Sequence, residues 1–199
     1  MTLSLGLLML GAFVLGAVPF AFLAVKVAFG QDVRRHGSGN PGATNAARMW
    51  PKRWQLPIFV MIFLLDAGKG YLASGMLPRL FESLDADAPA LAGAAAVVGH
   101  IFTPFLKLKG GKGVATTIGV LLALEPIATL IAVALFFAVF LTTRIVALGS
   151  LIVAVALPAA VYFRGVAPQS TLTLTIVLGL LIIVRHKGNI ERMLRGAEA

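Results

Sequence analysis

Apolar residues run almost unbroken over about 3–25, 55–78, 90–106, 114–124, 126–141, 145–163 and 171–184, and nearly every charge falls between these runs. A helix needs roughly 20 apolar residues to cross a bilayer, and most of the runs approach that length. The pattern predicts an all-α, polytopic integral membrane helical bundle of about seven spans, forming one membrane-embedded domain over residues 1–199. The fourth and fifth runs flank Glu125-Pro126 and are short. They admit a second arrangement, five full spans with a tilted or re-entrant hairpin. Pro126 and Pro158 read as structural breaks. No Lys or Arg precedes the first run, and Lys26 closes it. A signal peptide has the opposite polarity, so this run is expected to be a retained span, although Gly16-Ala17 imitates a cleavage site.

Charge orients the spans. The segment after the first run carries Lys26, Arg34, Arg35, Arg48, Lys52 and Arg53 against Asp32 alone. The next holds Arg79, Glu82, Asp85 and Asp87, and the one after it Lys107, Lys109 and Lys112. Glu125, Arg144 and Arg164 mark the following turns, and Arg185, Lys187, Arg192 and Arg195 lie at the end. Basic and weakly charged segments alternate, so fourteen of the 17 Lys and Arg residues collect on one face. The positive-inside rule makes that face cytoplasmic. The N-terminus is then outside and the C-terminus inside, as an odd number of spans requires.

Composition narrows the chemistry. The chain is 59% hydrophobic and 13% charged, with a mean hydropathy of +0.94. That is too much apolar surface for a soluble domain of this size. It has no cysteine, which removes thiolate nucleophiles, disulfides and Cys-based metal sites. A formal charge of +9 on a membrane chain points to lipid headgroups or phosphates. Nucleic acid is not expected as a partner, because no soluble basic module is present. The three histidines, His36, His100 and His186, match no HExxH zinc motif. No metal and no cofactor are expected.

The candidate chemistry lies in three segments on the basic face. In the first, Gly37, Gly39 and Gly42 permit backbone geometries closed to other residues, and exposed N–H groups there form an anion-binding nest. Ser38, Asn40, Thr44 and Asn45 add neutral donors, and Arg48 brings a bidentate fork. A plain solvated turn is the competing reading. In the second, Gly110, Gly111, Lys112 and Gly113 precede a helix start, a phosphate-binding combination. It is not a Walker A loop, because Leu106 and Gly113 stand where Gly and Ser/Thr are required. Positive-inside lysines beside a flexible turn are the alternative. In the third, His186, Asn189 and Glu198 accompany Ile190, Met193 and Leu194, whose spacing fits a short interfacial helix.

Asp66 and Lys69 lie three residues apart inside the second run. Intramembrane charge is costly and is read as functional by default, but an ion pair bracing the bundle is preferred here. His100, near Thr103-Pro104, is read as an interhelical hydrogen bond rather than a ligand.

Three stretches together resemble one family: Gly37–Arg48 (GSGNPGATNAAR), Gly99–Thr117 (GHIFTPFLKLKGGKGVATT) and His186–Glu198 (HKGNIERMLRGAE). They are similar to the bacterial inner-membrane acyl-phosphate:glycerol-3-phosphate acyltransferases. Asp66-x-x-Lys69-Gly70 also resembles that family's second span. The likeness extends over nearly the whole chain. Pro41 departs from it, standing where a branched aliphatic residue is usual.

The resemblance implies transfer of a fatty acyl group from acyl phosphate to the 1-hydroxyl of glycerol 3-phosphate. The products are lysophosphatidic acid and phosphate, the first acylation of phospholipid synthesis, made at the cytoplasmic face of the inner membrane. Both substrates carry phosphate, which suits two loops of glycine and basic residues. Membrane lipid is the other partner. The implied roles are catalysis for Ser38, His186 and Asn189. Substrate and phosphate binding falls to Gly37, Gly39, Asn40, Thr44, Asn45, Arg48, Gly110, Gly111, Lys112, Gly113 and Glu198. The His-x4-Asp dyad of soluble-domain glycerolipid acyltransferases is absent, since Pro41, Phe105 and Glu191 occupy the fifth position after each histidine. A transporter for anionic lipid or phosphate is one rival reading, weakened by the sparse polar groups of the outer halves. A structural membrane protein is the other.

Overall fold

The computed structural model describes residues 3–82 and 84–198, and every regular element among them is helical. Five helices are long and apolar enough to cross a membrane, six if one bent pair is counted as a span. The chain divides into two compact units, one reaching Val120 and the other starting at Leu121.

The first unit opens with α1 (Leu3–Ala17) and α2 (Phe20–Phe29). Pro19 has no N–H to give, so the helix breaks at Val18-Pro19. The break exposes carbonyls inside the bundle, and two side chains from elsewhere meet them. Thr103 Oγ1 donates to the Ala17 carbonyl at 2.7 Å, and Lys69 Nζ to the Val18 carbonyl at 2.9 Å. The first apolar run was expected as one continuous span, and its sequence carries no sign of these distant donors.

A short helix, α3 (Ala43–Ala47), lies in the loop before α4 (Lys52–Tyr71). The chain continues from α4 through a π-helical turn at Leu72–Met76 and a 3-10 turn at Leu77–Leu80. Next comes α5 (Ala88–Ile101). Without a hydrophobic drive between helices in lipid, close backbone approach through small residues must hold the bundle. Gly16 of α1 packs on the backbone of Ala96 in α5, and Gly99 of α5 on the Phe13 carbonyl of α1. Ala12, Ala73, Ala88, Ala92 and Ala96 line the same core with Leu8. Large residues such as Leu10, Val60 and Leu64 face outward, as lipid demands.

α6 (Val114–Leu124) occupies the fourth apolar run with only 11 residues, about 16 Å at the helical rise. Gly119 of α6 packs on the Ala67 backbone and Gly70 of α4 on that of Thr116.

The second unit contains α7 (Pro126–Thr143), α8 (Val146–Arg164), α9 (Gln169–Arg185) and α10 (Lys187–Leu194). With 18 residues, α7 is a full-length helix. Pro126 falls at its first position, where a missing N–H costs nothing. Pro158 corrects the expectation of a break, because α8 runs through it. Proline at 158 frees the Ala154 carbonyl, and Gly179 of α9 packs directly on that oxygen. At one end of this unit Arg164 Nε lies 3.5 Å from Glu125 Oε2. α10 bends 55° away from α9.

Candidate functional site

The Gly37–Arg48 loop owes its shape to Asn45. This side chain is buried, and its amide reaches three backbone groups. Oδ1 accepts from Ser38 N–H at 3.1 Å, and Nδ2 donates to the carbonyls of Val33 and His36 at 3.1 and 3.0 Å. The turn it closes needs left-handed backbone at Gly37 (φ 53°) and Gly39 (φ 71°), which glycine adopts without strain. Ser38 therefore stands exposed at the tip between two such glycines. Asn40 folds its amide toward Gly42, where an added Cβ would lie 2.7 Å from Nδ2. Thr44 is half-buried and Arg48 is exposed. Asn45 thus acts first as a staple, and its expected role as a direct donor to phosphate competes with bonds already made.

The loop is anchored from below. Val33 and Ala46 pack with Ala21, Val25 and Ile62, and Phe29 meets Trp50 edge-on at 4.7 Å. A cleft of about 410 Å³ opens beside the turn, lined by Phe29, Gln31, His36, Gly37, Asn45, Arg48 and Met49. Its polar wall presents an imidazole, a guanidinium and backbone, the groups an anionic headgroup needs.

Asp32 and Arg34 were counted in the sequence only as charges, and the structure gives them a further task. Arg34 forks onto Asp32, with Nη2 2.7 Å from Oδ2 and Nε 3.0 Å from Oδ1. Its remaining arm, Nη1, donates to the Leu106 carbonyl at 3.0 Å. The first glycine loop is thereby tied to the segment leading into the second. The hydrogen bonds from Arg34 hold the Asp32 carboxyl at about 2, below the ordinary 3.8, against the opposing effect of burial. An Asp two residues before an Arg at a loop's entry was the available signal.

The second loop is a reversal. After a 3-10 turn at Pro104–Leu106 the chain turns through left-handed backbone at Lys107 (φ 55°) and Leu108 (φ 61°). It then doubles back along the end of α5. Gly110 N–H donates to the Ile101 carbonyl at 3.0 Å and Gly111 N–H to the His100 carbonyl at 3.2 Å. Gly110, Gly111 and Gly113 are buried and Lys112 half-buried, so this loop is sunk into the protein. A Cβ at Gly110 would strike the His100 carbonyl, and one at Gly111 the His100 ring. The bonds by which Gly110 and Gly111 hold to α5 leave less free N–H than a phosphate loop with open amides would have.

The third segment lies in the second unit. His186 caps α9, and its Nδ1 is 2.8 Å from the Ile182 carbonyl. A carbonyl only accepts, so Nδ1 carries a proton and the Ile182 bond fixes the orientation of the ring. The chain beyond α10 folds back, and Glu198 bonds the Asn189 amide and Arg192 Nε, the latter at 2.6 Å. His186 and Asn189 are both buried. The three residues singled out in the sequence are therefore ordered by contacts within their own segment.

The match to the family model for glycerol-3-phosphate acyltransferase extends over residues 6–196. A glycerol-3-phosphate acyltransferase of Laribacter hongkongensis is 44% identical, with 94% of this chain and 92% of the relative covered. One of Syntrophotalea carbinolica is 39% identical over 98% of this chain and 96% of its own length. Among solved structures, the glycerol 3-phosphate form of PlsY, an integral membrane glycerol 3-phosphate acyltransferase, superposes with a TM-score of 0.88. It is 36% identical, and 98% of this chain and 94% of that one are covered.

Proposed function

Because the chain belongs to the glycerol-3-phosphate acyltransferase family, and so is an acyltransferase of the membrane, we propose that it acylates the 1-hydroxyl of glycerol 3-phosphate from acyl phosphate. The hydroxyl oxygen attacks the acyl carbonyl, a new ester C–O bond forms, and the carbonyl–phosphate C–O bond breaks. Lysophosphatidic acid and inorganic phosphate leave, and the hydroxyl proton passes to His186 Nε2 or to a phosphate oxygen. Acyl phosphate is a mixed anhydride with a good leaving group. Positioning and charge stabilisation therefore suffice, and no covalent nucleophile is needed.

The observation that carries this reading is the pair of glycine loops in one unit of a chain from this family, joined through the Arg34–Leu106 bond. Ser38 and Arg48 orient phosphate beside the Asn45-stapled turn, with Gly37, Gly39, Asn40 and Thr44 shaping its rim. Lys112 and the Gly110–Gly113 backbone hold phosphate in the reversal. His186, Asn189 and Glu198 serve glycerol phosphate, as the family resemblance implies. Among the described residues no base is paired with Ser38, which argues for direct transfer over an acyl-enzyme.

The whole chain acts as one enzyme with seven crossings, its active face toward the cytoplasm of the inner membrane. The 11 residues of α6 are short for a crossing. Four further residues of the return, Gly110–Gly113, add at most about 13 Å, and the sum approaches the ~30 Å hydrocarbon core. With α6 counted as a crossing, the basic loops fall on one face. Were it not a crossing, Arg144 and the C-terminal cluster would lie opposite Lys107–Lys112.

Purified protein in detergent, given acyl phosphate and labelled glycerol 3-phosphate, is expected to release labelled lysophosphatidate. Product no greater than in the protein-free control overturns the reading, and uptake of label into sealed liposomes in its place favours a transporter. Ping-pong kinetics or a trapped acyl-Ser38 would sink direct transfer.

A further inference from the structure

Three buried ionisable groups of the first unit have no part in the reaction as proposed: Asp66 and Lys69 of α4, and His100 of α5. They form one cluster. Lys69 Nζ lies 2.8 Å from Asp66 Oδ1, 2.9 Å from the Val18 carbonyl and 2.9 Å from His100 Nδ1. It also sits 5.6 Å from the centre of the Phe20 ring. An ammonium has three N–H donors and no acceptor, and Asp66 Oδ1, the Val18 carbonyl and His100 Nδ1 surround it, with Asp66 Oδ1 itself 3.5 Å from His100 Nδ1. An imidazole nitrogen that faces an ammonium must accept. With Lys69 as the donor, His100 Nδ1 carries no hydrogen and a neutral ring holds its proton on Nε2.

That Nε2 corner meets the second loop. A Cβ built at Gly111 collides with His100 Nε2 and would lie 2.8 Å from Cε1. The His100 carbonyl accepts from Gly111 N–H at 3.2 Å. Both the backbone and the ring of His100 therefore bear on the same glycine. A brace alone does not account for this arrangement. A buried ion pair costs much of its attraction in desolvation, and apolar packing of equal volume usually serves as well. Here the cluster ends on a loop whose shape matters.

We propose that Asp66, Lys69 and His100 are a buried positioning relay for the Gly110–Lys112 loop. Asp66 keeps Lys69 in place, Lys69 fixes the His100 ring as its Nε2–H tautomer, and the ring forms the bed on which Gly111 lies. Glycine is required at 111 by His100 rather than by phosphate. The proposal rests on the reading that this loop holds a substrate phosphate.

The test has a spectroscopic and a kinetic arm. Nitrogen-15 NMR of imidazole-labelled wild-type protein, assigned by elimination with His36→Gln and His186→Gln, is expected to show His100 neutral and protonated on Nε2. A ring protonated on Nδ1, or on both nitrogens, overturns the relay, and this arm needs no variant at the cluster. In the kinetic arm, Lys69→Met and His100→Ala are expected to lower kcat/KM about ten- to a hundredfold. Most of that loss should appear as a raised KM for the substrate whose phosphate the loop holds. Gly111→Ala is expected to lose as much, and Gly111→Ala with His100→Ala to lose no more than either alone, since the collision is then gone. Additive losses, or wild-type kinetics in folded variants, overturn it. If wild-type protein fails to turn over acyl phosphate while NMR shows the Nε2–H ring, the acyl-transfer reading has failed and the relay has not.

Discussion

At the scale of single residues, Asn45 shows how one amide organises a site. It satisfies a Ser38 N–H and the carbonyls of Val33 and His36 at once. Asn45→Ala leaves all three to find water or nothing. We expect a stability loss of about 2 kcal/mol, read from thermal unfolding in detergent, and at least a tenfold fall in acyl transfer. Asn45→Asp keeps the acceptor but sets a carboxylate against two carbonyls, and is expected to be no better. Asp32 offers a titration. Its folded pKa, about 2, lies below the ordinary 3.8, so the folded form favours the carboxylate. This contribution is whole above the ordinary value and vanishes as pH falls through about 2. Protease protection of the Gln31–Arg48 loop is expected to hold near pH 4 and to decline toward pH 2. In Asp32→Asn that acid-dependent step should be missing, and a step of equal size would show that Asp32 is not its source. In the sequence the glycines and Arg48 read as candidates for phosphate binding. The staple was not, because an Asn among Gly, Ser and Thr looks like one more donor until its partners are seen.

Among the elements, the break in the first span and the proline in α8 are two solutions to one problem. Each removes a regular helical donor from backbone carbonyls inside the bundle, where an unmet group is expensive. The break at Val18-Pro19 is met by donors from α4 and from the segment just after α5, whereas at Pro158 the helix continues and Gly179 lets α9 pack closely on the Ala154 carbonyl. Thr103→Val keeps the volume and deletes the hydroxyl that holds the Ala17 carbonyl. It should cost about 1–2 kcal/mol, and Thr103→Ser should restore most of it. Equal melting points for all three proteins would show that the bond contributes nothing. Gly179→Leu forces a side chain into the α8 backbone and should cost at least as much. Hydropathy located every one of these helices within a few residues. It failed on the breaks because proline looks the same in sequence whether or not a neighbour covers what it exposes.

For the molecule as a whole, the chain's lack of cysteine makes sidedness directly measurable. Single cysteines at Gly39 and at Asp87 can be probed in intact cells with a membrane-impermeant maleimide. Under the proposed seven-crossing topology, Asp87→Cys reacts from outside, and Gly39→Cys reacts only after the membrane is opened. Arg144→Cys should behave like Gly39→Cys. If it instead labels with Asp87→Cys, α6 does not cross and the count falls by one.

The sequence alone determined the class of the protein, a glycerol-3-phosphate acyltransferase of the membrane. Apolar run length depends only on bilayer thickness, charge bias only on loop position, and the three motifs only on residue order. All of these are local properties, written along the chain. Tertiary structure decided which polar groups are occupied. It turned Asn45 into a staple, Arg34 into a tie between loops, and Asp66, Lys69 and His100 into one cluster beneath Gly111. These are contacts between residues tens of positions apart, or between an amide and backbone carbonyls. A hydrogen bond depends on distance and direction, and those exist only once the chain has folded.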